Sequence, residues 1–495
     1  MLILSNIIGK IVLFSKQKFF SLCYFLGIQT DQIVLLELKS LQKKLYNFLF
    51  SSNAKVIKIE KIFEKISNLC QSAFKKNTFT NELLLHYSDC AFILGKKKIW
   101  ENMRLKYLCN EEKISNNYQS LKKLNYRILE PLHLCVTLGE NLHLDTLIKG
   151  MKLGIFKNQK IVLPINNYCR KRIVNKAMIS YWSKYIEVID DHKEATKILN
   201  HFKNLKISIK EGFIGRKNFI FPHSAASYIQ SIWQKKQYEP LIKIRREHQE
   251  AGKINLKKLG VAENDWYVVL HIRNNFKKDN LSSYNPSVNS FNKGIKSIIR
   301  RGGKVIVFGD KKLNPIKING VINYPQTIYK SDWMDLFLLS NAKFILGTSS
   351  GPSVVAYILG TPVAMTNYAS TISNYLSSND LFIPKHFYNL STNEKVNFRD
   401  TMSYPLGIGS NECWFKNLHN IKTEFNSEDE INNLSNEMMD KIFNKKNEIN
   451  LEENILQDKF KKLTLNVGTV LGVNNFPIQS KISYSFLKEN LQLLN

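Results

Sequence analysis

KFILGTSSGPSVVAYILGTPVAMTN, residues 343–367, reads as strand, Ser-rich turn, helix and strand. Lys343 to Gly347 is a short apolar run of strand character, Val354 to Leu359 is helical, and Pro362 to Met365 is a second strand. Two strands joined through a helix run parallel, so this stretch alone predicts an α/β sheet. Between strand and helix lies Gly347-Thr348-Ser349-Ser350-Gly351-Pro352-Ser353. Pro352 suits the first helical turn, and Gly351 permits close backbone approach. The helix start offers N–H groups and the positive end of its dipole, with the hydroxyls of Ser349, Ser350 and Ser353 in reach. That makes an anion or phosphate site at the carboxyl end of a strand. A Ser-capped helix without a ligand is the alternative reading. The loop is neither a Walker A sequence nor G-x-G-x-x-G.

Upstream, the same alternation continues. Trp266 to Ile272 is a strongly apolar strand, followed by a long loop from Arg273 to Tyr284 and a helix to about Arg301. Lys304 to Gly309 is the next strand, closed by Asp310, and Val321 to Tyr324 is a short one. Ser331-Asp332 caps a helix from Trp333 to Ser340. Strand alternation puts His271 and Arg273 on one side and Ile272 on the other. A charged Arg at the end of a central strand needs an anion or solvent, and its fork suits a diphosphate; a structural salt bridge is the alternative. Gly309-Asp310 at a strand end suits a ribose or sugar hydroxyl, or simply a turn. Asp335 is either a ligand contact or a helix-start stabiliser.

An earlier block has a similar texture. Leu132 to Thr137 reads as a buried strand, Leu138-Gly139-Glu140-Asn141 as a turn, Leu142 to Leu153 as a helix, and Lys160 to Pro164 as a second strand. Tyr185 to Ile189 reads as a further strand, and Tyr228 to Gly252 as one long helix bridging to the next domain. The Gly139 turn suits close approach of a ligand, with Asn141 beside it and Glu140 and His143 as candidate proton acceptors. Asp190-Asp191-His192 lacks a second ligand cluster, so no metal site is expected there. Residues 1–125 read as helical, and helix returns from Glu424, ending in a docking helix from Ile482 to Leu494.

The chain has 495 residues, with 44% hydrophobic and 23% charged residues, which argues against disorder. Lys plus Arg number 71 and Asp plus Glu 41, so the net charge is 71 − 41 = +30. That favours anionic partners. Basic residues occur in every segment, however, so charge alone does not define a nucleic-acid protein. Seven Cys without a C-x-x-C pair fit a reducing compartment. Met1 to Ile28 is apolar but interrupted by Lys10, Lys16 and Lys18. Its longest uncharged run, Phe19 to Thr30, is too short to span a bilayer, so the stretch reads as an interfacial amphipathic helix or a core helix.

WYVVLHIRNN (266–275), SIIRRGGKVIVFGD (297–310) and the run VINYPQTIYKSDWMDLFLLSNAKFILGTSSG (321–351) with its downstream TN (366–367) are similar to a bacterial family assigned as glycosyltransferases. That family shows HVR, ARGGWVIRMGD, SDWMDVFLCA and FIGTSSG in the same order. ISYSFLKENLQLL (482–494) resembles its C-terminal end, and TLGENLHLDTLIKG (137–150) falls where it carries an IGHL loop. Here Gly139 is kept, Glu140-Asn141 takes the place of the His, and His143 follows. The H-x-R element and the Ser-rich loop also resemble fucosyltransferases of the GT-B type.

The resemblance implies an α/β, GT-B-like fold of two Rossmann-like doubly wound domains with an N-terminal helical extension. The expected segments are 1–125 helical, 126–255 for the acceptor, 256–422 for the nucleotide-sugar donor, and 423–495 as helices packing back on the cleft. It implies a transferase moving a sugar from a nucleotide-diphosphate sugar to a glycan or glycoconjugate, in surface polysaccharide assembly. Arg273 would then neutralise the leaving diphosphate, with Ser349, Ser350, Gly351 and Ser353 cradling phosphates. His271, Gly309, Asp310 and Asp335 would stand beside the donor, and Glu140 or His143 would serve as base with Gly139 and Asn141 near the acceptor. No cofactor is expected. A cytoplasmic protein with a peripheral contact to anionic membrane is the expected setting, and nucleic acid is not an expected partner. The rival readings are a nucleotide-sugar epimerase or hydrolase on the same fold, and a non-catalytic polyanion-binding protein.

Overall fold

In this computed structural model, the described residues are 31–50, 56–76, 79–104, 106, 126–156, 158–201, 213–215, 218–220, 222–273, 285–369, 377–409, 411–443, 450–470 and 478–495. They fall into two compact units that divide between residues 114 and 115. The Met1–Ile28 stretch and most of the Arg273–Tyr284 loop lie outside the described residues.

The first unit contains α1 (Asp31–Leu49), α2 (Val56–Lys75) and α3 (Asn81–Ile93). Leu38, Leu45 and Leu49 recur at helical spacing on α1 and are fully buried, as are Ile59 and Ile66 on α2 and Leu84 and Cys90 on α3. Thr80 caps α3 by accepting the Leu83 N–H at 3.2 Å.

The second unit opens with β1 (Tyr126–Ile128), α4 (Pro131–Val136), a 3-10 turn at Leu138–Glu140, α5 (Asn141–Lys152) and β2 (Lys160–Pro164). Next come α6 (Lys176–Trp182), β3 (Glu187–Ile189), α7 (His192–His201), and a hairpin of β4 (Phe213–Gly215) and β5 (Asn218–Ile220). Strands β1, β2 and β3 form a parallel sheet in that order. Here the expected strand at Leu132–Thr137 is corrected. Pro131 starts a helix at this point, burying Leu134 and Cys135 together while Val136 is exposed, which is a helical rather than an alternating pattern. The strand that pairs with β2 is the preceding Tyr126–Ile128.

The expected long helix at 228–252 is also corrected. It is two helices, α8 (Pro222–Lys235) and α9 (Arg246–Lys258). Gln237 has φ 54°, and Pro240 lacks the N–H a helix would need. The intervening segment is fixed by the Trp233 indole, which donates to the Glu239 carbonyl at 2.9 Å.

The second α/β block comprises β6 (Trp266–His271), α10 (Asn292–Arg300), β7 (Gly303–Val307), β8 (Val321–Ile322), α11 (Asp332–Asn341), β9 (Ile345–Thr348), α12 (Gly351–Leu359) and β10 (Val363–Tyr368). It continues through β11 (Leu381–Pro384), β12 (His386–Asn389), α13 (Glu412–His419), β13 (Ile421–Glu424), α14 (Glu428–Phe443), α15 (Leu451–Val470), β14 (Lys481–Ile482) and α16 (Tyr484–Glu489). Seven of these strands form one parallel sheet in the order β14-β11-β10-β9-β6-β7-β8. From its centre this is the Rossmann order, reversing direction between β6 and β9. The fold is therefore α/β and GT-B-like, with two Rossmann-like sheets. Helix α14 packs on α10 and along β10 and β11. The C-terminal stretch expected as a helix first adds the edge strand β14. Only then does Ser483 cap α16, accepting the Phe486 N–H at 3.3 Å.

Candidate functional site

In an open parallel sheet, ligands bind outside the carboxyl ends of the strands where the strand order reverses, because the flanking loops part there. In this chain that point is the end of β6, carrying His271 and Arg273, beside the end of β9, carrying Thr348, Ser349 and Ser350. The two ends are tied together: the Arg273 backbone N–H donates to Thr348 Oγ1 at 3.1 Å. The strands come so close that a Cβ on Gly347 would lie 2.4 Å from the His271 carbonyl oxygen. Glycine is needed there for the pairing to form.

His271 Nδ1 donates to the Phe308 carbonyl at 3.0 Å, which leaves Nε2 with the lone pair. Burial, aided by the nearby Arg273 charge, lowers its pKa to about 4. The ring is therefore neutral at ordinary pH and suits a hydroxyl donor rather than a phosphate. In the unfolded chain the ring takes its proton near pH 6.5. Between those values the folded protein binds fewer protons, so stability from this group is whole above pH 6.5 and falls as pH drops towards 4. His271→Asn keeps a donor to Phe308 but does not titrate. Its urea midpoint is expected to decline less between pH 7 and pH 4 than that of the parent.

Arg273 lines a small cavity with Asn285, Phe308 and Leu313. Asn285 Oδ1 is buried there without a hydrogen-bond partner among the described residues. On the other flank, Ser350 is the N-cap position of α12 without making a side-chain cap, and Ser349 and Ser350 are half-buried.

The turn from the first sheet lies against this helix start. A Cβ on Gly351 would sit 2.9 Å from Leu138 Cβ and 3.1 Å from the Gly139 nitrogen. Gly351 therefore allows the approach of this turn, and Ser349 and Ser350 form the open side of the loop. Glu140 ends the turn, and its Oε2 lies 3.8 Å from Nε2 of the buried His143. Sequence reasoning placed these two blocks in separate domains. The structure brings Glu140, His143, Ser350 and Gly351 to one junction.

Several expected ligands are committed elsewhere. Asn141 is buried, donating to the Leu138 carbonyl and accepting the Trp182 indole N–H, each at 2.9 and 2.8 Å respectively. It braces the turn. The buried Ser353 hydroxyl donates to the Thr348 carbonyl at 3.0 Å, bracing the Ser-rich loop. Asp335 accepts from the Tyr324 hydroxyl at 2.8 Å and pairs with Lys330, so it anchors the 324–331 turn. Exposed Asp310 accepts the Lys312 N–H at 2.9 Å, closing a turn after Gly309. Gly139 donates its own N–H to Thr137 Oγ1 at 3.3 Å.

Sequence reasoning missed the strut between the two sheets. Asp332 accepts the first-turn Lys176 N–H of α6 at 2.7 Å, while Asn175 donates to the Asp332 carbonyl at 2.9 Å. The only signal was a second N-cap residue, Asn175, opposite the Ser331-Asp332 cap. Among the described residues no group of three His, Cys, Asp or Glu side chains could hold a metal ion. No described helix is long and apolar enough to cross a membrane.

No family model matches this chain, and no curated protein matches it. Solved structures similar to it include a glycosyl transferase family 9 protein from Veillonella parvula, at 11% identity and TM-score 0.32, covering 48% of this chain and 79% of that one. Another is the ADP-heptose LPS heptosyltransferase II of E. coli, at 13% identity and TM-score 0.32, covering 48% and 83%. A third is an iron-containing dodecameric glycosyltransferase from enterotoxigenic E. coli, at 12% identity and TM-score 0.34, covering 63% and 75%.

Proposed function

We propose that this chain is a nucleotide-sugar-dependent glycosyltransferase of the GT-B type. One observation carries the reading: the switch point of a Rossmann-ordered sheet is flanked by Arg273 and the Ser349–Ser350 helix start, with the Glu140 turn of the other sheet packed against that start. Charge develops on the diphosphate as its bond to the sugar breaks. A guanidinium and a helix N-terminus fixed beforehand stabilise that charge without reorganising. The acceptor hydroxyl arrives from the first-sheet side, its oxygen bonds the sugar carbon, and its proton passes to Glu140, which His143 positions. The neutral His271 accepts a sugar or ribose hydroxyl. The expected setting is cytoplasmic assembly of surface glycan or glycoconjugate, with peripheral membrane contact through the basic surface.

The test is melting temperature against ADP, GDP, UDP, CMP and dTDP and their common sugars, with EDTA present. One nucleotide is expected to raise the melting temperature selectively, since ligand at 100 times Kd adds about 2.7 kcal/mol to apparent stability. No shift from any nucleotide would remove the donor-site reading. Consumption of the sugar nucleotide with no acceptor present would move it to an epimerase or hydrolase.

A further inference from the structure

A second cavity, of about 700 Å³, opens where α5, the end of α6 and the 236–245 crossing segment meet. That volume suits a small ligand. It lies at the opposite end of α5 from Asn141 and His143: Lys152, at the C-terminal end of that helix, lines it. Nine residues of helix from His143 place it roughly 14 Å from the junction described above.

Its walls are aromatic rings held rigidly by their own polar ends. The Tyr185 hydroxyl donates to the Leu241 carbonyl at 2.5 Å, and the Tyr181 hydroxyl bonds His248 Nδ1 at 2.8 Å. The Trp233 indole is fixed to the Glu239 carbonyl. What remains for a ligand is ring surface. Around it stand cations. The Lys152 and Lys184 ammonium groups lie 5.7 and 5.8 Å from the centre of the same Tyr185 ring, and the Arg245 guanidinium lies 4.7 Å from that of Tyr181. None of the three has a carboxylate partner among the described residues; Glu239, the acid of the cavity, pairs with Lys243.

Lys152, Lys184 and Arg245 are exposed, where an incoming anion can reach them, while the buried lysine nearby is already neutralised. Lys149, one turn earlier on α5 and fully buried, is paired with Asp145 at 2.6 Å. The Arg245 guanidinium is fixed at the rim by donating to the Ser180 carbonyl and hydroxyl at 2.7 and 2.9 Å, and cations gathered at an aromatic cavity favour an anionic ligand.

The ring geometry bears on the rest of the ligand. Trp233 and Tyr238 meet edge to face at 70°, so this pair makes no slot for a flat base, whereas a pyranose needs only one ring face with cations at its edge. We propose that this cavity binds an anionic saccharide, one bearing phosphate or carboxylate groups. The proposal does not depend on the donor-site reading.

The test is calorimetric titration of the full chain at low salt with glucose 6-phosphate, trigalacturonate, maltotriose, inorganic phosphate and AMP. At least one of the two anionic saccharides is expected to bind, and which of them does so names the anion. Lys152→Glu with Lys184→Glu should weaken that binding at least tenfold, and Tyr238→Ala should weaken it as well. Reversing two exposed lysines elsewhere, Lys257→Glu with Lys258→Glu on α9, should leave it unchanged, which separates the cavity from the overall positive charge. Any nucleotide-induced melting shift should persist in the Lys152/Lys184 variant. The proposal is overturned if neither anionic saccharide binds, if maltotriose, inorganic phosphate or AMP binds as tightly, or if the α9 reversal weakens binding as much as the cavity reversal.

Discussion

Arg273→Ala is expected to lower kcat/KM for sugar transfer by about two to three orders of magnitude, the effect of losing one fixed donor to a developing negative charge. The side chain follows a strand whose Val268, Val269 and Leu270 are wholly buried, so the backbone that carries it is rigid. Its amide is held by Thr348 Oγ1, and that bond survives the substitution because it uses the backbone. The variant should therefore fold with an unchanged melting temperature and lose the shift given by the nucleotide. Arg273→Lys should recover little, because an ammonium cannot grip two phosphate oxygens as the planar fork does. If steady-state kinetics and nucleotide titration show Arg273→Ala equal to the parent, Arg273 has no part in the donor site.

Gly351→Val is the second large effect, and it acts by geometry. The Cβ alone would lie 2.9 Å from Leu138 Cβ and 3.1 Å from the Gly139 nitrogen, so the Leu138–Glu140 turn has to move. Overpacking of this kind costs about 1–3 kcal/mol. The displaced turn carries Glu140 with it, and a misplacement of about 1 Å can cost 10²-fold in rate. The expected result is a lowered melting temperature together with a kcat reduced about 100-fold, and an intact nucleotide shift. Gly139→Ala is the control. Its Cβ would meet only Thr137 Oγ1 at 3.7 Å and Gly351 Cα at 3.9 Å, ordinary contacts. Equal losses in the two variants would mean that the turn does not set the position of the base.

The elements of the second block were legible because each carries its own punctuation. Gly302-Gly303 ends α10, Ser331 caps α11, and the apolar runs at 266–271 and 345–348 are short and bounded. The first block was less legible. Leu132–Thr137 is equally apolar as strand or helix, and Pro131 before it together with the packing of Leu134 and Cys135 on one side decides it. The edge strand β14 has two residues and no sequence signal, since it exists by pairing with β11.

The site divides in the same way. Residue types and local spacing determined that a strand would end in His271-Ile272-Arg273 and that another would run through Ser349 and Ser350 into a helix, because strand alternation and helix starts are properties of neighbouring residues. Tertiary structure alone decided that these two ends lie side by side at the reversal of strand order, and that Gly351 meets the Glu140 turn. It also decided which polar side chains remain for a ligand. Asn141, Ser353 and Asp335 look like ligands in one dimension and are braces in three, because a buried polar group must find a partner and theirs lie far along the chain or on the backbone beside them.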